Sequence, residues 1–171
     1  MNIYPVVWEF ELDPRTTHMS LVATGPEQPP VMATPITIAA ELTRLPLATN
    51  NDPGVDGLLR VCAQLIETSV IHYEFAAVAL EKALQALELK LRIVVNRSSK
   101  DGMSSLIKQL ERRGTLTHDE ANELLKLVRI RNQVVGHPQS EGAKSLVVIM
   151  GYLHYIHAVI AKLDEATPNA S

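Results

Sequence analysis

Apolar residues recur every three or four positions along most of the chain from residue 52 onward, the spacing typical of amphipathic helices. Asp52 followed by Pro53 predicts the start of the first helix, because aspartate caps helix N-termini and proline favours the first helical position. Gly114 predicts a helix end, and Thr117 with Glu120 matches a capping box. Five helices are therefore expected: from Pro53 to a break near Thr68–Ile71, Tyr73–Val95, Met103–Arg113, Thr117 to Val135 or Gly136, and Leu146–Leu163.

The N-terminal residues follow another pattern. Val6–Leu12 partly alternates between apolar and polar residues, which predicts a short strand, and Leu21–Ala23 is a candidate partner for a hairpin. Pro35–Leu45 can form one short helix. We interpret residues 1–52 as an arm with extended or β-like segments that packs on the main domain or on a second subunit. Residues 166–171 are interpreted as a frayed tail.

Helices joined by short loops predict an all-α fold: an up-and-down bundle of four to five helices over residues 53–165, with the short N-terminal arm. No βαβ alternation occurs, which argues against a dinucleotide-binding fold, and no glycine-rich phosphate loop occurs either.

Composition narrows the function classes. With 171 residues, one domain is the default, and the net charge of −3 means that nucleic-acid binding needs a local basic patch. The single cysteine, Cys62, excludes an intramolecular disulfide framework and is interpreted as a buried core residue. Acidic residues interrupt any signal-peptide pattern at the N-terminus, and no uninterrupted apolar segment of membrane-spanning length is recognised. A cytoplasmic protein without a membrane partner is expected.

The end of the fourth predicted helix carries the most distinctive chemistry. Arg131 interrupts an apolar stripe formed by Leu124, Val128 and Val135, and Asn132 lies at the edge of that stripe. A guanidinium there must be solvated, paired or shared with a ligand, because an unpaired buried charge is very costly. Gly136 and Pro138 should end the helix, with His137 just beyond it. A cation, an amide and an imidazole together suit polyanion binding and acid–base chemistry.

Each of these residues also has a structural interpretation. The Arg131 stem can pack on the bundle with its head in water, Asn132 can be an ordinary polar residue at a helix end, and His137 can serve as a C-cap. Glu81, Glu88 and Arg92 share a polar face of the second predicted helix. A carboxylate of that face can pair with Arg131 and hold its guanidinium, or the face can be solvated or turned to a dimer partner.

The remaining candidates are surface charges and histidines. Lys126 and Arg129 belong to a modest basic surface that can contact RNA or can simply be solvated. His154 and His157 lie three residues apart on the fifth predicted helix, where exposed or interface histidines are expected. No metal site is predicted.

The segment from Arg131 to His137, at the end of a long helix of an all-α domain, resembles the signature of the HEPN superfamily. Its members are small all-α domains of prokaryotic toxins, defence systems and RNA-processing proteins. The family signature is an arginine, often followed by a polar residue, and a histidine after a short spacer at the end of the last long core helix. Arg131, Asn132 and His137 match it, with five residues between the arginine and the histidine. The resemblance covers about residues 55–163. Gln139 stands where some toxin members carry a tyrosine that an antitoxin modifies.

The resemblance implies a metal-independent endoribonuclease without cofactors, acting as a homodimer whose two motifs line a shared cleft. In this interpretation Arg131 binds the scissile phosphate, His137 is the general base or acid, and Asn132 orients one of them. The products would carry 2′,3′-cyclic phosphate ends. A toxin or defence system with a cognate antitoxin protein is the implied setting. The alternative is a non-catalytic HEPN-like module that binds RNA, a nucleotide or a protein partner in a regulatory role.

Overall fold

The computed structural model describes residues 20–22, 31–46, 52–95, 100–136 and 146–166, and within these ranges the protein is all-α. The predicted all-α class is confirmed. The described ranges contain six helices, one more than the five expected for the main domain, because the short N-terminal helix is also present. In chain order the elements are β1 (Ser20–Val22), β2 (Val31–Met32), α1 (Pro35–Leu42), α2 (Pro53–Thr68), α3 (Glu74–Val95), α4 (Met103–Arg112), α5 (His118–Gly136) and α6 (Leu146–Glu165).

The two short strands pair antiparallel, with Ser20 opposite Met32 and Val22 opposite Val31. The sequence had suggested Val6–Leu12 as the partner of this strand, and that segment lies outside the described residues. Sequence pattern missed β2 because two residues are too few for alternation to be visible.

The described part of the N-terminal segment packs on the helices. β1 lies against α6, and α1 lies against α2. Ile38 of α1 is fully buried and Leu45 is 6% exposed, so both belong to the same hydrophobic core as the later helices. The arm was predicted to pack either on the main domain or on a second subunit. The described N-terminal residues pack on helices of the same chain. The predicted division at residue 52 stays a prediction.

α3 is the central helix. It packs against α2, α4 and α6, while α4 packs against α5. Alanines at Ala76, Ala79 and Ala83 are fully buried on α3, which lets neighbouring helices approach closely. The predicted break between the first two helices is present, since α2 ends at Thr68 and α3 begins at Glu74.

The turn into α5 follows the sequence signals. Gly114 has a φ of +73°, a left-handed conformation that favours glycine, and Thr115 N–H donates to the Leu110 carbonyl at 3.0 Å. Thr117 N–H donates to Glu120 Oε2 at 2.7 Å, and Glu120 N–H donates to Thr117 Oγ1 at 3.3 Å, so the predicted capping box is confirmed. These bonds fix where α5 starts.

α6 corrects one expectation. Among the described residues, Leu146–Glu165 is long and apolar enough to cross a membrane, with a mean hydropathy of 1.6, whereas no such segment was recognised from the sequence. Half of that stretch is buried inside the fold, as it is in the core helix of many proteins.

Candidate functional site

Arg131 extends the inward-facing side of α5. Ala121, Leu124 and Leu127 are buried on that side, and Arg131 follows Leu127 by four residues. Val128, predicted for the buried stripe, is only half-buried, and Leu127 occupies the inner position. The Arg131 side chain is 28% exposed. Its guanidinium therefore lies at the margin of the core, between apolar packing and solvent.

A carboxylate on α3 joins Arg131 to a second arginine. Arg131 Nη1 donates to Glu88 Oε2 at 3.1 Å, and Arg92 Nη2 donates to Glu88 Oε1 at 2.7 Å. The sequence raised a pairing between this face of α3 and Arg131, and the structure contains it. We call Arg92, Glu88 and Arg131 the arginine–glutamate cluster.

The cluster contributes more to geometry than to stability. The three side chains are 21–31% exposed, and solvent screening limits partly exposed ion pairs to about 1 kcal/mol each. However, each oxygen of Glu88 accepts from a different arginine, which restrains the guanidiniums of two helices relative to each other. The cluster can therefore present a cation in a fixed position to an anion.

Glu81 is not part of the cluster. It precedes Glu88 by seven residues, about 10 Å along the helix axis. Its Oε1 accepts from Gln85 Nε2 at 3.1 Å, and Gln85 Oε1 accepts from Lys82 Nζ at 3.1 Å. The predicted polar face of α3 thus divides into two local networks, and Glu88 joins one of them to Arg131 of α5.

Lys126 and Arg129 lie on a different side of α5 from Arg131. At 100° per residue, these positions are turned by about 140° and 160° from Arg131 around the helix. Both are exposed, and Lys126 Nζ pairs with Glu123, so the structure does not bring the two predicted RNA contacts to the cluster within one chain. The side chain of Asn132, and all of His137, lie outside the described residues.

One deeply buried ion pair was missed from the sequence. Lys90 Nζ of α3 donates to Asp164 Oδ1 of α6, and the two side chains are only 4% and 5% exposed. One signal was available: Lys90 follows Leu87 by three residues, on the apolar side of α3. Lysine is so often a surface residue that the pattern alone did not reveal a partner 74 positions away.

Histidines of α6 hold the N-terminal segment. His157 Nδ1 donates to the Pro46 carbonyl at 3.2 Å, and His154 Nε2 lies 3.6 Å from Glu41 Oε2. Burial lowers the pKa of His157, against the opposing effect of its bond to Pro46. The expectation of exposed or interface histidines is wrong for His157, which is 8% exposed. Within the described ranges no group of three or more metal-ligating side chains occurs.

Another interhelical network centres on Glu120 at the start of α5. Both of its carboxylate oxygens accept from Lys162 Nζ at 2.7 Å, and the Glu120 carbonyl accepts from the Tyr155 hydroxyl at 3.1 Å. The bond from Lys162, followed by that from the Thr117 backbone, lowers the pKa of Glu120. Burial, with the negative charges of Glu120 and Glu123, raises the pKa of Tyr155 to about 12. These bonds tie the start of α5 to α6.

Cys62 is buried at 1% exposure, and burial raises the pKa of its thiol to about 12. A thiol in this environment stays protonated and is a poor nucleophile, in keeping with the predicted core role.

No protein-family profile, curated protein or solved structure matches this chain.

Proposed function

We propose that this protein is an HEPN-like, metal-independent endoribonuclease. The observation that carries the proposal is the arginine–glutamate cluster, in which Glu88 restrains Arg131 near the end of α5. We also propose that residues 53–165 form an up-and-down helical bundle of the HEPN type. We further propose a cytoplasmic homodimer of a toxin or defence system, with a cognate antitoxin protein as regulator.

Arg131 has the chemistry of a phosphate-binding residue. Its contact with Glu88 uses Nη1, and a guanidinium carries five N–H donors in a planar fork that fits phosphate oxygens. Restraint by Glu88 lowers the entropy lost when Arg131 binds a phosphodiester. The cation then stabilises the negative charge that develops on the phosphoryl oxygens in the transition state.

His137 would supply the proton transfers. As a base it takes the proton from the ribose 2′-hydroxyl, and the 2′-oxygen attacks phosphorus. The bond from phosphorus to the 5′-oxygen then breaks, and the protonated imidazole of His137 can act as the acid that gives that oxygen its proton. The products are a 2′,3′-cyclic phosphate and a 5′-hydroxyl. Asn132 would orient the phosphate or the imidazole, and Lys126 and Arg129 would contact RNA outside the cleaved bond.

The decisive assay is cleavage of a mixed RNA pool in EDTA. Wild type should produce cyclic phosphate ends, while Arg131→Ala and His137→Ala should lose at least about 100-fold in rate. His118→Ala and Arg112→Ala are matched controls, because both residues are exposed and belong to neither the cluster nor the motif. Folded wild type that cuts no RNA, or equal cleavage by all variants, would refute the catalytic proposal.

The second candidate is a non-catalytic HEPN-like module that binds RNA, a nucleotide or a protein partner. It is favoured because both carboxylate oxygens of Glu88 accept hydrogen bonds from arginines of the same chain. A carboxylate with these two partners can serve purely as a structural tie between α3 and α5. This candidate predicts that His137→Ala leaves ligand binding intact, whereas Glu88→Ala weakens binding together with stability. Parallel measurements of binding and unfolding distinguish the two candidates.

A further inference from the structure

An apolar groove lies between α5 and α6. Its volume is about 440 Å³, and its lining is mainly apolar, with Leu127 and Ile130 from α5 and Val148, Gly151, Tyr152 and Tyr155 from α6. Glu123 and Lys126 complete the lining. We call this the α5–α6 groove. Exposed apolar surface of this kind marks an interaction site, because covering it removes apolar area from water.

The groove favours an apolar and aromatic occupant. The charges of Glu123 and Lys126 are paired with each other, so they do not call for a charged ligand. The Tyr155 hydroxyl donates to the Glu120 carbonyl at 3.1 Å, which leaves the ring as the surface that an occupant meets. Aromatic rings pack well against other aromatic rings in edge-to-face or offset arrangements. A segment with projecting aromatic side chains therefore fits these walls.

The N-terminal part of the sequence contains such a segment. Val6–Leu12 has large apolar side chains at positions 8, 10 and 12 and glutamates at positions 9 and 11. Successive side chains of an extended chain point to opposite sides, so one edge of this segment would be apolar and the other acidic. The chain has one tryptophan and two phenylalanines, and two of these three residues, Trp8 and Phe10, fall here.

The described residues bring this segment within reach of the groove. β1 begins at Ser20 and lies against α6, which forms one wall of the groove. Residues 13–19 separate Leu12 from Ser20, and seven residues span up to about 23 Å. The 20 residues of α6 span about 30 Å. The tether is therefore long enough to reach the groove along or around α6.

The N-terminal part of the chain already binds the side of α6 next to the groove. His157 donates to the Pro46 carbonyl, and His154 lies 3.6 Å from Glu41. Tyr155 of the groove is turned by about 100° from His154 around the helix. A short tether also gives a segment an effective concentration on the order of millimolar, which favours it over a free partner.

We propose that Val6–Leu12 occupies the α5–α6 groove of its own chain, with Trp8 and Phe10 packed against the tyrosines of α6. This contact is independent of ribonuclease activity and stands whether or not the protein cuts RNA. It gives the N-terminal segment a direct hold on Ile130, the neighbour of Arg131 in the sequence.

Fluorescence quenching in the full chain tests the contact. Trp8 is the single tryptophan, so its emission reports on this segment alone. A nitroxide label on Lys126→Cys, at the groove, should quench most of the Trp8 emission, because nitroxides quench only at short range. The matched control is the same label on Arg60→Cys, an exposed position of α2, which should leave the emission unchanged. Cys62 is 1% exposed and stays unlabelled in the native protein.

Variants of the groove and of the segment sharpen the test in the protein labelled at position 126. Gly151→Glu should restore the emission, because it places a charge on the apolar wall. Gly57→Glu should not, since Gly57 is also an exposed helical glycine with nothing within 4 Å of an added Cβ but lies on α2. Circular dichroism checks that both variants keep wild-type helicity. Should Gly151→Glu misfold, Phe10→Ala should still restore emission, whereas Glu9→Ala should not.

Three results would overturn the proposal. The first is equal emission from the proteins labelled at positions 126 and 60. The second is quenching that persists in folded Gly151→Glu and in Phe10→Ala. The third comes from a mixture of unlabelled wild type with labelled Lys126→Cys that also carries Trp8→Phe. Quenching in this mixture would show that the segment binds the groove of a second copy and not that of its own chain.

Discussion

Replacing Lys90 by methionine should destabilise the protein strongly. Methionine preserves much of the volume of the lysine stem but leaves Asp164 without its lysine partner. The two side chains are 4% and 5% exposed, so solvent screening offers little compensation. Removing one member of a buried ion pair costs roughly 3–5 kcal/mol, which is a large fraction of the 5–15 kcal/mol typical of a whole domain.

The expected shift in melting temperature follows from chain length. Unfolding entropy is about 2.1 cal/mol/K per residue, or about 0.36 kcal/mol/K for 171 residues. A loss of about 3 kcal/mol therefore lowers the melting temperature by about 8 °C. Urea unfolding followed by circular dichroism gives the free energy independently, provided that the transition has two states.

The double variant Lys90→Met with Asp164→Leu sharpens the test. Buried ion pairs are often replaced by apolar residues at little net cost, so the double variant should recover most of the loss. Lys108→Met is the surface control, since Lys108 is exposed on α4, and it should change stability by less than about 0.5 kcal/mol. A Lys90→Met variant that loses less than about 1 kcal/mol would show that the pair is solvated, and the reasoning from burial would be wrong.

Three other predictions concern single sites. Because burial holds the pKa of His157 below its ordinary value of 6.5, its neutral form contributes stability that is present above pH 6.5 and is lost as the pH falls through the folded pKa. The urea midpoint should therefore drop on acidification from about pH 7.5 to pH 5.5, and His157→Gln should remove that part of the drop; an equal slope in both proteins would contradict the assignment. Gly114→Ala should cost about 1 kcal/mol because alanine is strained at a φ of +73°, whereas Gly57→Ala, at an exposed position within α2 where φ is not positive and an added Cβ meets nothing within 4 Å, should not destabilise the protein. Cys62 should react with iodoacetamide at pH 8 only after unfolding, since its pKa is about 12 and its side chain is buried; rapid modification of the native protein would refute this.

The helical elements could be predicted from the sequence because their causes are local. The three–four spacing of apolar residues identifies α2 to α6, and Asp52, Gly114 and the Thr117–Glu120 capping box set boundaries through bonds within a few residues. The position of Arg131 on the inward-facing side of α5 was visible for the same reason. The resemblance of Arg131, Asn132 and His137 to the HEPN signature is likewise a property of spacing.

Only the tertiary structure decided which distant residues meet. Helical periodicity predicts that Glu88 and Arg131 each face a neighbour, but the packing of α3 near α5 is what brings them to 3.1 Å. The same holds for Lys90 with Asp164 and for His157 with Pro46, which are separated by 74 and 111 positions. Burial and pKa depend on everything packed around a group, whereas local sequence specifies only the group and its neighbours along the helix. The sequence therefore determined the elements and the chemistry they carry, and the packing of the helices determined how that chemistry is combined.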